Sequence, residues 1–450
     1  MNTIPSITND WKELRRGFFR LAVINILSNL MVPLSGFINI AFLGHLVEVR
    51  HLAGVTLATI LFNYLYRTLG FLRMSTTGVT AQAVGRKDTE AILLVGLRNG
   101  LFALLLGLIL LVFQYPLQTI GFSLLSATAE VKAAGQAYYD ARIWALPATL
   151  LNFVIIGWFL GRAQSGKVLL LSIIGNGINI LFDYCFIIRL GWQSQGAGFA
   201  TALSQYAMMM TGLILLAQEI DWKLVKSVAH QLLEPAALIE ILTLNRDIFI
   251  RTLAFLTTFS LFTNFSSAID TEVLAENALM LQVVTLTVYL IDGLAYATES
   301  LVGILKGKDA QDELWAILKV ATQVSVMTGL IIAIAFVLFP DQLFGLLTNH
   351  HELLDRLKFY VPWLIPVLGL GSVAFMLDGY FLGLAEGVIL RNTALFATLI
   401  GFLPLGICAW QLQNPSLLWF ALAIFMAIRV LGLSLYLPKT LRDNFQGKEA

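Results

Sequence analysis

The chain has 450 residues, of which 58% are hydrophobic and only 13% charged, about half the charged share of an average soluble domain. No soluble interior hides that much apolar surface, so the composition points to a polytopic membrane protein. A net charge of +1 leaves no footprint for nucleic acid, and two cysteines in apolar runs, Cys185 and Cys408, suggest neither a disulfide framework nor a metal site.

The N-terminus is polar up to Trp11, and the first apolar run is far longer than a signal-peptide core, so no cleaved signal is expected. Twelve runs of bilayer-spanning length then follow, at about 17–46, 52–84, 91–115, 134–161, 167–190, 196–218, 246–268, 273–305, 314–340, 356–384, 391–411 and 416–438. They show no period-2 alternation, which argues against strands. Pro33, Pro147, Pro362, Pro366 and Pro404 fall inside runs and are expected to bend them. A polar connection from Glu219 to Asn245, with an amphipathic piece from Trp222 to Leu233 and a break at Pro235, lies near the midpoint. It divides the chain into an N-terminal six-helix bundle (1–218), a cytoplasmic linker (219–245) and a C-terminal six-helix bundle (246–450). Basic residues gather before the first run (Lys12, Arg15, Arg16, Arg20), on alternate connections and after the last run (Lys439, Arg442, Lys448). Cytoplasmic segments carry such an excess, so both termini are predicted to be cytoplasmic.

The two halves repeat one another. Gly85-Arg-Lys matches Gly307-Lys-Asp, Leu52-Ala53 matches Leu274-Ala275, and Gly157-Trp-Phe-Leu-Gly161 matches Gly379-Tyr-Phe-Leu-Gly383, always 222 residues apart. Six spans per copy is an even number, so both copies enter the membrane from the same side. The predicted fold is all-α, with twelve transmembrane helices in two pseudo-symmetric six-helix bundles.

Asp183 lies in the fifth run, on one helix face with Asn176 and Asn179. A carboxylate costs several kcal/mol at the centre of a bilayer, so it is a functional candidate by default. Thr201, Ser204 and Gln205 of the sixth run and Asn25, Ser28, Asn29, Ser35 and Asn39 of the first complete a polar pocket in the N-terminal half. An Asp beside Asn amides suits a proton or cation site, in which protonation switches local hydrogen bonding. The structural alternative is an interhelical clamp. Asp292 and Glu299 share a face of the eighth run and Asp378 lies in the tenth, a possible second acidic locus. The alternative there is that Asp292 pairs with Arg251 and that Glu299 sits near a cytoplasmic end. Arg67 and Arg73 read as structural, and His350 and His351 as part of a solvated loop. No P-loop, HExxH or Ser–His–Asp pattern is present, so a membrane-embedded enzyme is disfavoured and transport has to be secondary, with no cofactor.

Pro33-Leu-Ser-Gly-Phe-Ile-Asn-Ile-Ala-Phe-Leu-Gly-His-Leu46 resembles the first span of the multidrug and toxic compound extrusion (MATE) family. Gly70-Phe-Leu-Arg-Met-Ser-Thr-Thr-Gly-Val-Thr-Ala-Gln-Ala83 is similar to a segment of its DinF-like branch, as are Gly157-Trp-Phe-Leu-Gly161, Asn245-Arg-Asp-Ile-Phe-Ile-Arg251 and Asp292-Gly-Leu-Ala295. The resemblance covers nearly the whole chain. It implies a multidrug efflux antiporter of the bacterial inner (plasma) membrane. Such a protein exports small organic compounds against H⁺ or Na⁺ by alternating access, and a monomer is expected. Its partners would be the substrate and the lipid bilayer. The family's span-5 Asn and Asp fall on Asn179 and Asp183, and its span-6 Thr falls on Thr201. The branch's span-1 Asp is replaced here by Asn39, an amide that cannot titrate. A lipid-linked precursor flippase of the same superfamily is the alternative, but it wants a large cationic cavity that Arg67 and Arg73 barely supply.

Overall fold

The structure is a computed structural model that describes residues 11–44, 48–348 and 351–442. His350, Lys448 and Leu46 lie outside the described residues. Among the described residues twelve helices are long and apolar enough to span a membrane: α1 (Trp11–Gly44), α2 (Val49–Gly85), α3 (Thr89–Val112), α4 (Ala129–Gly161), α5 (Ser165–Arg189), α6 (Gln193–Ala217), α7 (Pro235–Ile269), α8 (Thr271–Gly307), α9 (Gln311–Leu338), α10 (Val361–Gly383), α11 (Gly387–Gln411) and α12 (Pro415–Leu441). No strand occurs among the described residues. In hydrocarbon a helix satisfies its own backbone polar groups, which is why runs of this length and composition take this form.

Some boundaries differ from the hydropathy reading. Helix α7 begins at Pro235 instead of near residue 246. Proline at a helix start gives up only an N–H that has no helical partner anyway, so Pro235 opens the helix where a break was expected. Helix α10 begins at Val361 instead of near 356, because His351–Leu357 forms a separate short helix. Three of the five prolines mark irregular turns. Pro147 follows a 3-10 turn over Ile143–Ala145, Pro362 lies in one over Val361–Trp363, and Pro404 follows a π turn over Ala397–Phe402. Pro33 is carried inside α1 without a break.

The chain divides into two compact units, one of Leu27–Leu242 and one from Thr243 onward that also takes in the opening turns of α1 up to Ile26. In the first unit the short helix Trp222–Val228 lies on α3, with Leu224, Val225 and Val228 against Leu93, Leu94 and Leu97. Arg98 fastens the segment by donating to the Gln231 carbonyl at 2.7 Å. The second unit has a large apolar core in which Phe262, Phe344, Phe402, Trp419 and Phe425 are fully enclosed.

The repeat read from sequence reappears atom by atom. In the first unit α4 packs on α2 with glycines at the contact. A Cβ on Gly157 would lie 2.6 Å from the Arg73 carbonyl oxygen, and one on Gly161 2.7 Å from that of Thr77. In the second unit α10 packs on α8 in the same way, with Gly379 2.9 Å from the Ala295 oxygen and Gly383 2.6 Å from the Glu299 oxygen. All four residue pairs sit 222 positions apart. Small residues let membrane helices approach backbone to backbone, and dispersion contacts then hold them. The turns repeat as well: Lys87 and Asp309 take φ of 57° and 55°, and Ala163 and Ala385 take 55° and 59°. Each is followed by an amide that reaches back to a helix carbonyl (Asp88 to Ala83, Ala310 to Leu305, Gln164 to Phe159, Glu386 to Phe381), so the left-handed residue closes the helix.

Candidate functional site

Helices α1 and α5 meet along a polar seam in the first unit. Ser28 Oγ and Ser172 Oγ lie 2.6 Å apart, Ser35 Oγ donates to Asn179 Oδ1 at 3.2 Å, and Asn39 Nδ2 donates to Asp183 Oδ2 at 3.2 Å. Each pair is separated by 144 residues, so the two helices run parallel and in register. Steps of seven and four residues keep one face turned to the partner over about 16 Å of helix.

Asp183 is fully buried, and its second oxygen, Oδ1, is enclosed without a hydrogen-bond partner among the described residues. A π turn, Tyr184–Arg189, begins at the next residue, and Phe182, Phe186 and Trp192 stack beside it. Such turns recur at functional positions in helices. Asn179 also keeps an enclosed amide nitrogen without a partner. Other expected residues of this pocket are turned elsewhere. Asn176 Nδ2 donates to the Ser172 carbonyl at 2.8 Å and Thr201 Oγ1 to the Ala197 carbonyl at 3.0 Å, each on its own helix. Gln205 accepts from Asn152 at 3.1 Å.

The second unit uses the same helix register with different polar groups. Arg391 Nη1 of α11 donates to Asp247 Oδ1 of α7 at 2.7 Å and Thr398 Oγ1 to the Ala254 carbonyl at 3.2 Å, again 144 residues apart. The positions 222 residues beyond Asn39 and Asp183 are Leu261 and Leu405, and both pack on the apolar core.

Asp378 is buried and its Oδ2 receives both Arg251 and Arg429. Arg251 therefore pairs with Asp378, where the sequence had suggested Asp292. Phe255, Phe375 and Phe425 surround Arg429, with centroids 5.2, 5.4 and 5.6 Å from its guanidinium carbon. Asp292 is half-buried and Glu299 buried on α8, and both have interaction partners.

Among the charged residues that escaped the sequence reading, two are cations with enclosed guanidinium atoms. Arg429 lies inside the twelfth apolar run and Arg142 inside the fourth. The rule that flagged Asp183, an ionisable group in an apolar run, applies to both. Arg142 Nη1 donates to the Tyr138 hydroxyl, and its guanidinium carbon sits 4.5 Å from the centroid of the Phe62 ring. Outside the spans, Arg162 pairs with Glu219, as does Lys167 at the start of α5, and burial lowers the pKa of the Arg162 guanidinium.

A family model described as MatE matches the chain twice, over residues 25–185 and 248–407, once per half. The DNA damage-inducible protein F of Escherichia coli is 30% identical over 93% of this chain and 91% of its own length. A probable multidrug resistance protein NorM of Thermotoga maritima is 22% identical over 83% of this chain and 80% of its own. The fold is shared with a MOP superfamily transporter from Pyrococcus furiosus, at a TM-score of 0.85, 18% identity, and 95% and 96% of the two chains covered. It is shared equally with a multidrug resistance MATE family transporter in an outward-facing conformation, at a TM-score of 0.85 and 19% identity over 96% of each chain. With its two halves each matched by the family model and a relative aligned along nearly its whole length, the chain belongs to the MatE (multidrug and toxic compound extrusion) family, whose members are integral membrane transporters and not enzymes.

Proposed function

We propose that this protein is a secondary active exporter of small organic compounds, hydrophobic or cationic. It exchanges them by alternating access for a cation, a proton rather than sodium, at Asp183. The observation that carries the reading is the state of that carboxylate: fully buried, one oxygen held by Asn39 across the α1–α5 seam, the other enclosed without a partner among the described residues. Evolution rarely leaves such a group in an apolar span unless it works. Its relatives' names, which speak of multidrug resistance, support the substrate class.

The seam supplies a mechanism. The ionised carboxylate accepts a charge-assisted hydrogen bond from the Asn39 amide, roughly twice as strong as a neutral one. A proton arriving at Oδ1 removes the charge and weakens that bond, so the hold of α1 on α5 loosens at this level. Loss of the proton restores it. Asn39 and Asn179 shape the pocket, with Asn176 and Thr201 as supporting polar groups. Asp378, paired with Arg251 and Arg429, serves the second unit structurally. The distribution of Lys and Arg supports cytoplasmic termini in a bacterial inner membrane, and a monomer suffices for this cycle.

The test is transport of a fluorescent organic cation by reconstituted vesicles under separately imposed pH and sodium gradients. Transport driven by the pH gradient is expected in the native protein, loss of coupling in Asp183→Asn, and stronger coupling in Asn39→Asp, which adds a second titratable group. An Asp183→Asn protein that exports normally with unchanged proton coupling would sink the reading.

A further inference from the structure

The opening turns of α1 carry a charged face that no step of the proposed transport cycle uses. Leu14, Phe18, Leu21 and Ala22 of this stretch are buried, and a Cβ on Gly293 of α8 would lie 2.6 Å from the Ile26 nitrogen, so one side of the helix is committed to the second unit. The opposite side turns outward in two rows that step four residues at a time. Lys12, Arg16 and Arg20 form one row, and Trp11, Arg15 and Phe19 the next, and all six are exposed. An open hollow of about 870 Å³ lies against this face, and Val23 and Ile24 continue its wall one turn further along the helix.

The balance of charge on this face is one-sided. Lys12, Arg15, Arg16 and Arg20 are set against Glu13, the only acid of α1. Lys12 and Glu13 have interaction partners, whereas Arg15, Arg16 and Arg20 make no ion pair among the described residues. The helix itself gains nothing from these guanidiniums. Its amino end is the positive end of the helix dipole, which favours acids in the first turn and disfavours cations. Arg16 and Arg20 also repel one another, because residues four apart are neighbours on a helix. An anion lying along the rows relieves both terms.

Depth and polarity identify the anion. Helix α1 has 34 residues, about 51 Å of helix against a hydrocarbon core of ~30 Å. No charged residue occurs from Leu21 to Gly44, and those turns alone run about 36 Å, enough to cross the core. The cations therefore sit at the level of the lipid headgroups, with Arg20 at the inner edge and Lys12 about 12 Å further out. Along the same face the character changes from Lys12, Arg15 and Arg16 to Phe19, Val23 and Ile24, charged outside and apolar inside, which is the polarity of a phospholipid. A soluble anion would use the arginines and leave the apolar turn idle. A zwitterionic headgroup would bring a cation of its own toward three guanidiniums, whose forks suit phosphate oxygens. We infer that the opening turns of α1 form a binding site for an anionic phospholipid, its phosphate held by Arg15, Arg16 and Arg20 and its acyl chain lying along Phe19, Val23 and Ile24. The site is independent of the reading of Asp183 and of which leaflet this end of the helix meets.

The test uses the purified full-length protein in detergent with added phosphatidylglycerol or phosphatidylcholine. Native mass spectrometry counts the lipid retained, and the thermal unfolding midpoint is read with each lipid. The native protein is expected to hold phosphatidylglycerol at least about tenfold more tightly than phosphatidylcholine and to unfold at a higher temperature with it. In Arg15→Gln/Arg16→Gln/Arg20→Gln the two lipids should bind within about twofold of one another. The control Lys223→Gln/Lys226→Gln, which removes two exposed cations elsewhere, should keep the native preference. Equal retention of the two lipids by the native protein, a preference unchanged in the triple variant, or one lost equally in the control overturns the inference. Inorganic phosphate at the concentration of the lipid should not displace it; displacement would mark a site for a free anion and overturns the lipid assignment. Should the triple variant fail to accumulate, Arg20→Gln alone must lower the preference about fivefold, and an unaltered preference overturns the inference equally.

Discussion

Replacing Asp378 by Asn keeps the shape of the side chain and removes only its charge. In the native protein one carboxylate oxygen serves two guanidiniums, and the three residues are 8% (Arg251), 4% (Asp378) and 2% (Arg429) exposed. The net charge of this cluster therefore rises from +1 to +2. The Asn carbonyl can still accept from one arginine, but the other is left with rings and a thioether for company. Removing one partner of a buried ion pair costs about 3–5 kcal/mol, and no cavity term adds to it here. On the scale of a folded unit of this size that corresponds to a fall of roughly 10 °C in unfolding midpoint. Thermal unfolding of purified protein, followed by loss of the monodisperse peak in size-exclusion chromatography, reads it. The double variant Asp378→Asn/Arg251→Met returns the cluster to +1 and should recover at least half of the loss. Native-like stability in the single variant, or a double variant no better than the single, would refute the argument.

The glycine contacts predict a symmetric pair of effects. Gly161→Ala and Gly383→Ala each place a Cβ under 3 Å from a backbone oxygen, so both should cost about 1–3 kcal/mol by the same unfolding assay, whereas Gly17→Ala, with nothing within 4 Å, should be neutral or slightly stabilising. A pH effect is expected in the connection between α9 and α10. Hydrogen bonds from Lys358 to Asp341 and Asp355 raise the pKa of its ammonium group. Because the folded value lies above the unfolded one, the stabilisation is fully present below pH about 10 and is lost as pH rises through the folded value. The group is exposed, so the effect is small. Lys358→Met should flatten the alkaline limb of a midpoint-against-pH curve, and an unchanged limb would count against the contact.

Much of this protein is readable from its composition and spacing. Each helix has to satisfy its own backbone in hydrocarbon, so twelve apolar runs of the right length already give twelve spans. The 222-residue repeat survives in sequence because the glycines at positions 157, 161, 379 and 383 are dictated by backbone contact, which tolerates little else. Asp183 stands out for the same kind of reason, since a carboxylate in an apolar run is costly wherever the rest of the chain goes. Partners are a different matter. Spacing along one helix tells which residues share a face, not which neighbour that face meets. Asn176 and Thr201 share faces with the pocket yet spend their hydrogen bonds on their own helices, and Asp378 has two arginines, one 127 and one 51 residues away. The 144-residue register of α1 on α5, the aromatic cage of Arg142 and the enclosed second oxygen of Asp183 come from how helices pack against one another. Only the tertiary structure decides that, because the energy of a polar group in a membrane depends on the groups it meets.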